Sequence, residues 1–132
     1  MKMREAAFLV LCACAKDPTQ LIAVVALGKD GRSRSLGLVH WGLVTSWENS
    51  PRESHRPINL RRETVAWKYA EIFREKRCFV PADGFFEWKP DGKRKRPHHF
   101  TLTDRPMFAF AGLWDVWADE REKLVTSCIL TT

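Results

Sequence analysis

The sequence predicts an α+β fold in which a mainly antiparallel curved sheet or barrel carries a flanking helix. Three observations carry that expectation. Short apolar segments recur between turn signals, one segment alone shows helical spacing, and 132 residues of 15.3 kDa with 45% hydrophobic and 29% charged residues fit one ordinary globular domain.

After Pro18 the segment LIAVVAL (21–27), a turn at GKDGRS carrying Asp30 and Gly31, and SLGLVHWGLV (35–44) form a predicted hairpin. Residues 45–58, with Pro51, Pro57, Ser and Asn and no periodicity, form a loop expected to be exposed and open to function. From Glu63 to Lys76 the apolar residues Val65, Tyr69, Ile72 and Phe73 recur at helical spacing, with Trp67 and Lys68 on other faces. Asn59 and Thr64 suit helix caps, and Glu63 suits the first turn. Then RCFV (77–80), a turn at PADG (81–84), FFEWK (85–89), HHFTLT (98–103), MFAFAGLWDVW (107–117) and LVTSCILTT (124–132) read as successive strands. The last runs to the final residue without a polar tail, so the expectation is an incomplete domain.

Residues 1–17 stand apart from a domain spanning 18–132. MKMRE followed by AAFLVLCACA has the basic start, short apolar stretch and small residues of a secretory signal, although Glu5 interrupts it; the alternatives are a strand or a non-native start. No apolar run reaches the length of a membrane span. Four cysteines (Cys12, Cys14, Cys78, Cys128) do not make a disulfide scaffold, and a reduced interior is expected. No metal or other cofactor is expected either. Adjacent His98 and His99 point to opposite faces of a strand, and the Cys12 and Cys14 pair has no second pair at finger spacing. Phosphate-loop, nucleophile-elbow and zinc-protease patterns are absent from the sequence.

The net charge of +6 and pI near 9.4 favour an acidic partner, nucleic acid first. KPDGKRKRP (89–97) sets Lys89, Lys93, Arg94, Lys95 and Arg96 against Asp91 at a hairpin tip. Such cations either hold phosphates or keep a sheet edge from aggregating. Six Trp and eight Phe can build a core or offer stacking platforms to unpaired bases. In PADGFFEW (81–88), alternation sets Phe86 and Trp88 on one face and Glu87 with Phe85 on the other. Burial among those aromatics would favour a protonated Glu87 suited to proton transfer; the plainer alternative is a solvent-facing carboxylate. Arg61, just before the helix, is not explained by capping.

HWGLVTSW (40–47), NLRRET (59–64), RCFVPADGFFEW (77–88), FAFAGLWD (108–115) and TSCILTT (126–132) stand in the order seen in the SOS response-associated peptidase (SRAP) family, and the chain resembles that family from about Pro18 to Thr132. The resemblance implies a compact β core with flanking helices, a positively charged groove for single-stranded DNA, and a bacterial, cytoplasmic, nucleoid-associated monomer acting on abasic sites in the SOS response. It also implies a cysteine, exposed by removal of the initiator methionine, whose thiol and free α-amine close a thiazolidine ring on the ring-opened sugar aldehyde. On this likeness Asn59 positions the abasic sugar, Arg61 holds its phosphate, Glu87 serves as general acid/base, and Trp41 and Trp47 lie along the DNA path. Core packing would account for Trp41 equally well.

The sequence departs from that pattern. Lys2 stands where the family has its cysteine, Leu60 and Arg62 replace the usual alanines, and the chain stops before the segment that supplies the family's pocket histidine. Weak or absent crosslinking is therefore expected. The readings left open are an SRAP peptidase with crosslinking and lyase-like chemistry, a non-catalytic single-stranded DNA-binding module, and an exported protein of unrelated role.

Overall fold

A computed structural model describes residues 20–132, and the expectations placed on residues 1–17, with Cys12 and Cys14, lie outside it. The described chain runs β1 (Leu21–Leu27), β2 (Arg34–Trp41), β3 (Asn59–Arg61), α1 (Arg62–Lys68), α2 (Ala70–Glu75), β4 (Arg77–Ala82), β5 (Phe85–Asp91), β6 (Arg94–Phe100), β7 (Phe108–Ala118) and β8 (Lys123–Thr131). β1 pairs antiparallel with β2 from Leu21↔His40 to Leu27↔Arg34, as its apolar run and Asp30-Gly31 turn predict. Asp30 Oδ1 fixes that turn by accepting from the amides of Arg32 (2.9 Å) and Ser33 (2.8 Å).

β1 also pairs with β4, β4 with β7, and β7 with β8, all antiparallel. β8 then returns to β2 through the parallel pairs His40↔Thr126 and Trp41↔Ser127. This last pairing closes a five-stranded barrel, which removes the open edges that a flat sheet would present. β3 adds to the far end of β8 in parallel, Asn59↔Ile129 through Arg61↔Thr131. β5 and β6 pair only with each other, as a two-stranded ribbon.

Strand alternation divides the apolar side chains into two clusters. One fills the barrel, with Ile22, Val24, Val39, Cys78 and Val80 packed by Trp41, Phe110, Trp114, Val125 and Ile129. The other lies outside β7 and β8, where Leu113 and Cys128 meet Val65, Tyr69 and Ile72 of the helical segment and Leu43 and Leu60. The predicted flanking helix therefore covers the barrel, but not as one piece. It breaks at Tyr69 (φ −120°, ψ 25°) into two short helices, and Phe73, expected on the buried face, is 40% exposed beneath the Arg77 guanidinium. Neither predicted cap forms: Asn59 belongs to β3, and Arg61 occupies the N-cap position without a side-chain bond. Glu63 does sit in the first turn.

The second strand ends at Trp41, short of the expected Val44, so the loop expected over 45–58 begins at Gly42, and its first part is not exposed. Leu43, Val44 and Thr45 are buried, and Val44 exchanges hydrogen bonds with the Thr126 hydroxyl, its amide donating (2.8 Å) and its carbonyl accepting (3.2 Å). The expected PADG turn is also shifted, because β4 continues through Ala82.

Candidate functional site

The mouth of the barrel opens into a cavity of about 510 Å³ where β2, β3, β4 and β5 converge. Its apolar floor is barrel interior, including Ile22, Val80, Phe110 and Ile129. Its polar groups come from chain-distant elements: Asn59 from β3, Glu87 from β5 and Thr131 from β8. Trp41 forms part of the wall, and its indole Nε1 donates to the Ile58 carbonyl (3.1 Å), the residue before Asn59. That bond ties the end of β2 to the start of β3. Trp41 thus packs against the barrel core, as the plainer sequence alternative for it holds, and faces the cavity at once.

Glu87 is exposed to solvent, the plainer of its two sequence readings, rather than buried among aromatics. The aromatics flank it instead. Phe85 stacks on Phe100 (ring centroids 5.2 Å apart) and meets Phe108 and Phe110 edge-on, fixing the base of the ribbon against the barrel. Phe86 stacks on His99 (4.6 Å), and Trp88 is 59% exposed opposite Pro97. Phe86 and Trp88 line the same cavity as Glu87, which their spacing along the strand did not reveal.

The remaining predicted residues lie outside this cavity. Arg61 is exposed at the junction of β3 and α1. Trp47 is 53% exposed in a separate crevice beside Glu71, Glu75 and Lys76, its ring 6.2 Å from that of Tyr69. Lys93 occupies the ribbon's turn, while Arg94, Lys95 and Arg96 lie on β6, all exposed. Gly92, at φ 61°, takes the first of the two turn positions, a backbone that L side chains rarely adopt and a tight hairpin requires. Arg96 pairs with Asp91 (2.8 Å) in full solvent, a contact of small energetic worth. Residues rise about 3.3 Å each along a strand, so the cations begin a few steps from Glu87 on the same ribbon.

A buried network that the sequence reading missed sets the Trp47 loop. Asp115 is wholly buried on β7 and accepts from the amides of Ser46 and Val116 (both 2.8 Å) while pairing with Lys76 Nζ (2.5 Å). Trp117 Nε1 donates to the Glu48 carbonyl (2.8 Å), and Glu48 Oε2 accepts from the Thr45 amide (2.6 Å). One strand therefore holds the loop at both sides of Trp47. An aspartate in a strand of alternating apolar residues was the available signal.

The two described cysteines are poorly suited to nucleophilic chemistry. Burial pushes the Cys78 thiol up to about 11, partly offset by its contact with the Ser127 hydroxyl, and pushes Cys128 up to about 12. Among the described residues no group of three or more His, Cys, Asp or Glu side chains could hold a metal ion, and no helix is long and apolar enough to cross a membrane.

The family model for SOS response associated peptidase (SRAP) matches residues 13–132. The chain belongs to the SRAP family. It is 37% identical over 114 residues to abasic site processing protein YoaM of Bacillus subtilis, covering 83% of this chain and 49% of that protein. It is 38% identical over 119 residues to YoqW, a B. subtilis protein of the same description, covering 87% and 52%. To abasic site processing protein HMCES of Xenopus tropicalis it is 32% identical over 111 residues, covering 67% and 33%. The chain thus spans about half the length of the bacterial relatives it matches. Among solved structures, a Bacteroides thetaiotaomicron protein superposes with TM-score 0.74 at 28% identity, covering 85% of this chain and 50% of that one. A Bordetella bronchiseptica protein shares the fold, with TM-score 0.71 at 22% identity over 87% and 58%.

Proposed function

We propose that this SRAP chain recognises abasic sites in single-stranded DNA, with the baseless sugar entering the barrel-mouth cavity and the flanking strand running along the β5–β6 ribbon. The observation that carries the reading is the meeting of Asn59, Glu87 and Trp41, from three elements, around one cavity. An abasic sugar offers hydroxyl and aldehyde oxygens but no base, so one amide, one carboxylate and apolar walls suit it better than they suit a stacked nucleotide. Asn59 would orient the sugar, and Glu87 would exchange a proton with its oxygen during ring opening. Phe86 and Trp88 offer stacking surfaces to neighbouring bases, and Lys93, Arg94, Lys95 and Arg96 offer contacts to phosphates.

The family names of the relatives agree with this reading, as abasic site processing proteins. In it, the chain acts as a monomer on DNA at the bacterial nucleoid, in the damage response for which its family is named. Recognition comes without a thiazolidine made by Cys78 or Cys128, since both thiols are buried and lack the adjoining α-amine that ring closure requires. Autopeptidase and crosslinking chemistry belong, in this reading, to an N-terminal cysteine rather than to the cavity residues.

The test pairs binding with intact mass spectrometry, using a single-stranded oligonucleotide with one abasic site and its undamaged counterpart. The expected result is tighter binding to the abasic strand, lost in Asn59→Ala, with no covalent adduct on a peptide containing Cys78 or Cys128. Equal affinity for the two strands would overturn abasic recognition and leave a general single-strand-binding module.

A further inference from the structure

The outer wall of the barrel carries an apolar face that stays open among the described residues. Register sets Leu36, Val25, Phe79 and Ala111 side by side across β2, β1, β4 and β7, through the pairs Val25↔Leu36, Val25↔Phe79 and Phe79↔Ala111. Their alternates Val24, Cys78 and Val80 fill the interior, so this row points outward. The adjoining rows add Leu38 beside Ala23 and Pro81 beside Ala109, with Leu27 at one end of β1 and Leu21 at the other. Leu27 and Phe79 are both 59% exposed, and Leu21, Leu36 and Leu38 are exposed to nearly half. Farther round the same wall the helical segment packs on Leu113 and Cys128, both wholly buried. One wall is thus sealed on β7 and β8 and bare on β2, β1 and β4. Clustered apolar exposure of this kind marks a surface that another element covers.

We propose that residues 6–15 of this same chain, which lie outside the described residues, dock on that face. Their sequence, AAFLVLCACA, is the feature that the abasic-site reading leaves unused. It is joined to the face directly, because residues 16–20 lead into Leu21, whose partner His40 closes the near end. So short a tether holds the segment at an effective concentration of about millimolar, far above what a second copy in dilute solution supplies. Ten residues reach about 15 Å as a helix and about 33 Å extended, against roughly 20 Å of β1, so one reversal near Pro18 lets the segment run the length of the face. The charges agree with that path. Arg34 lies opposite Leu27 at the far end, and Arg77 adjoins Cys78, the partner of Ala26; Glu5 would arrive beside these two exposed cations. This inference stands apart from the proposed function, and it gives the signal-like start a place in the folded protein.

The test is brief digestion of the full chain with elastase, which cuts beside small apolar residues where the backbone is free, with intact mass spectrometry to read cuts within 6–15. The parent is compared with Phe79→Glu and Leu36→Glu, changes to outward side chains that leave the barrel interior untouched. Both variants should lose the segment about tenfold faster than the parent or more, since a buried charge opens the docked state. Cys78 and Cys128 should stay slow to alkylate in every sample, as they are while the barrel is closed. Leu9→Glu, made in the segment itself, should release it equally and serves where a face variant unfolds. Cutting of the parent at the variants' rate would overturn the assignment, as would a purified chain that already begins beyond residue 15. A parent that sediments as a dimer, and turns monomeric with Phe79→Glu but not with Leu9→Glu, would give the face to a second copy instead.

Discussion

The closed barrel and the β5–β6 ribbon are built from strands of similar length, yet they divide the labour of the molecule. In the barrel every strand has neighbours on both edges for part of its length, and its central residues Val80, Leu113 and Cys128 are almost wholly buried. In the ribbon β6 is exposed throughout, and β5 is exposed except at Phe85. An isolated two-stranded ribbon is marginal in water, so its position depends on the Phe85, Phe100, Phe108 and Phe110 contacts at its base. Stability thus belongs to the barrel, and the surface available to a ligand belongs to the ribbon and the loops. The useful perturbations are those that move one without the other.

The largest effect should come from Asp115, where barrel and loop share one buried carboxylate. Asp115→Ala leaves the Ser46 and Val116 amides without their acceptor and Lys76 without its partner, and should cost about 3 kcal/mol of stability by urea unfolding. Amide exchange at Ser46 should quicken with it. A cost under about 0.5 kcal/mol, the ordinary range for surface changes, would show that the loop is held by its other bonds alone.

The buried thiols give a pH test of the same barrel. In the unfolded chain Cys78 and Cys128 ionise near the usual value of 9.0, whereas the folded barrel holds them to about 11 and about 12. Between those limits the unfolded state binds fewer protons than the native one, so stability is full below pH 9 and falls as pH rises. At pH 10 each thiol should withdraw about 1.4 kcal/mol, or 2 to 3 together. The urea midpoint at pH 8 and pH 10, compared with that of Cys128→Ala, would show this as a halved alkaline loss in the variant.

The same division explains what was legible in the sequence. β1 was readable to the residue because an apolar run between Pro18 and an Asp-Gly turn is a local signal. β3 was not, since its three residues become a strand only by pairing with β8, some seventy positions away. The helix read over 63–76 was right in place and wrong in continuity, because the break at Tyr69 comes where its ring packs into the outer core beneath Trp47. Glu87 stood out between aromatics in its strand, and the family likeness added Asn59 and Trp41 as site residues, but residue spacing could not place the three around one cavity; closure of the barrel does that.

The smallest effect on stability should accompany a large one on binding, at the ribbon tip. Lys93, Arg94 and Lys95 are exposed and make no ion pair among the described residues, so replacing all three with glutamine should shift stability by no more than about 0.5 kcal/mol. If the tip follows a DNA strand, the same variant should lower the salt slope of single-strand binding by about 2, three phosphates at about 0.7 each, and weaken abasic and intact strands alike. Phosphate contacts carry no information about the missing base, so the preference for the abasic strand should survive in the variant. If the preference collapsed along with the affinity, the tip would be part of the recognition of the lesion, and the separation between a stabilising barrel with its cavity and a merely holding ribbon would be wrong. If affinity and slope both stayed put, the cations would be what hairpin tips often carry them for, a charged guard on an otherwise open strand edge, and the path of the DNA would have to be sought across Trp47 and Arg61 instead.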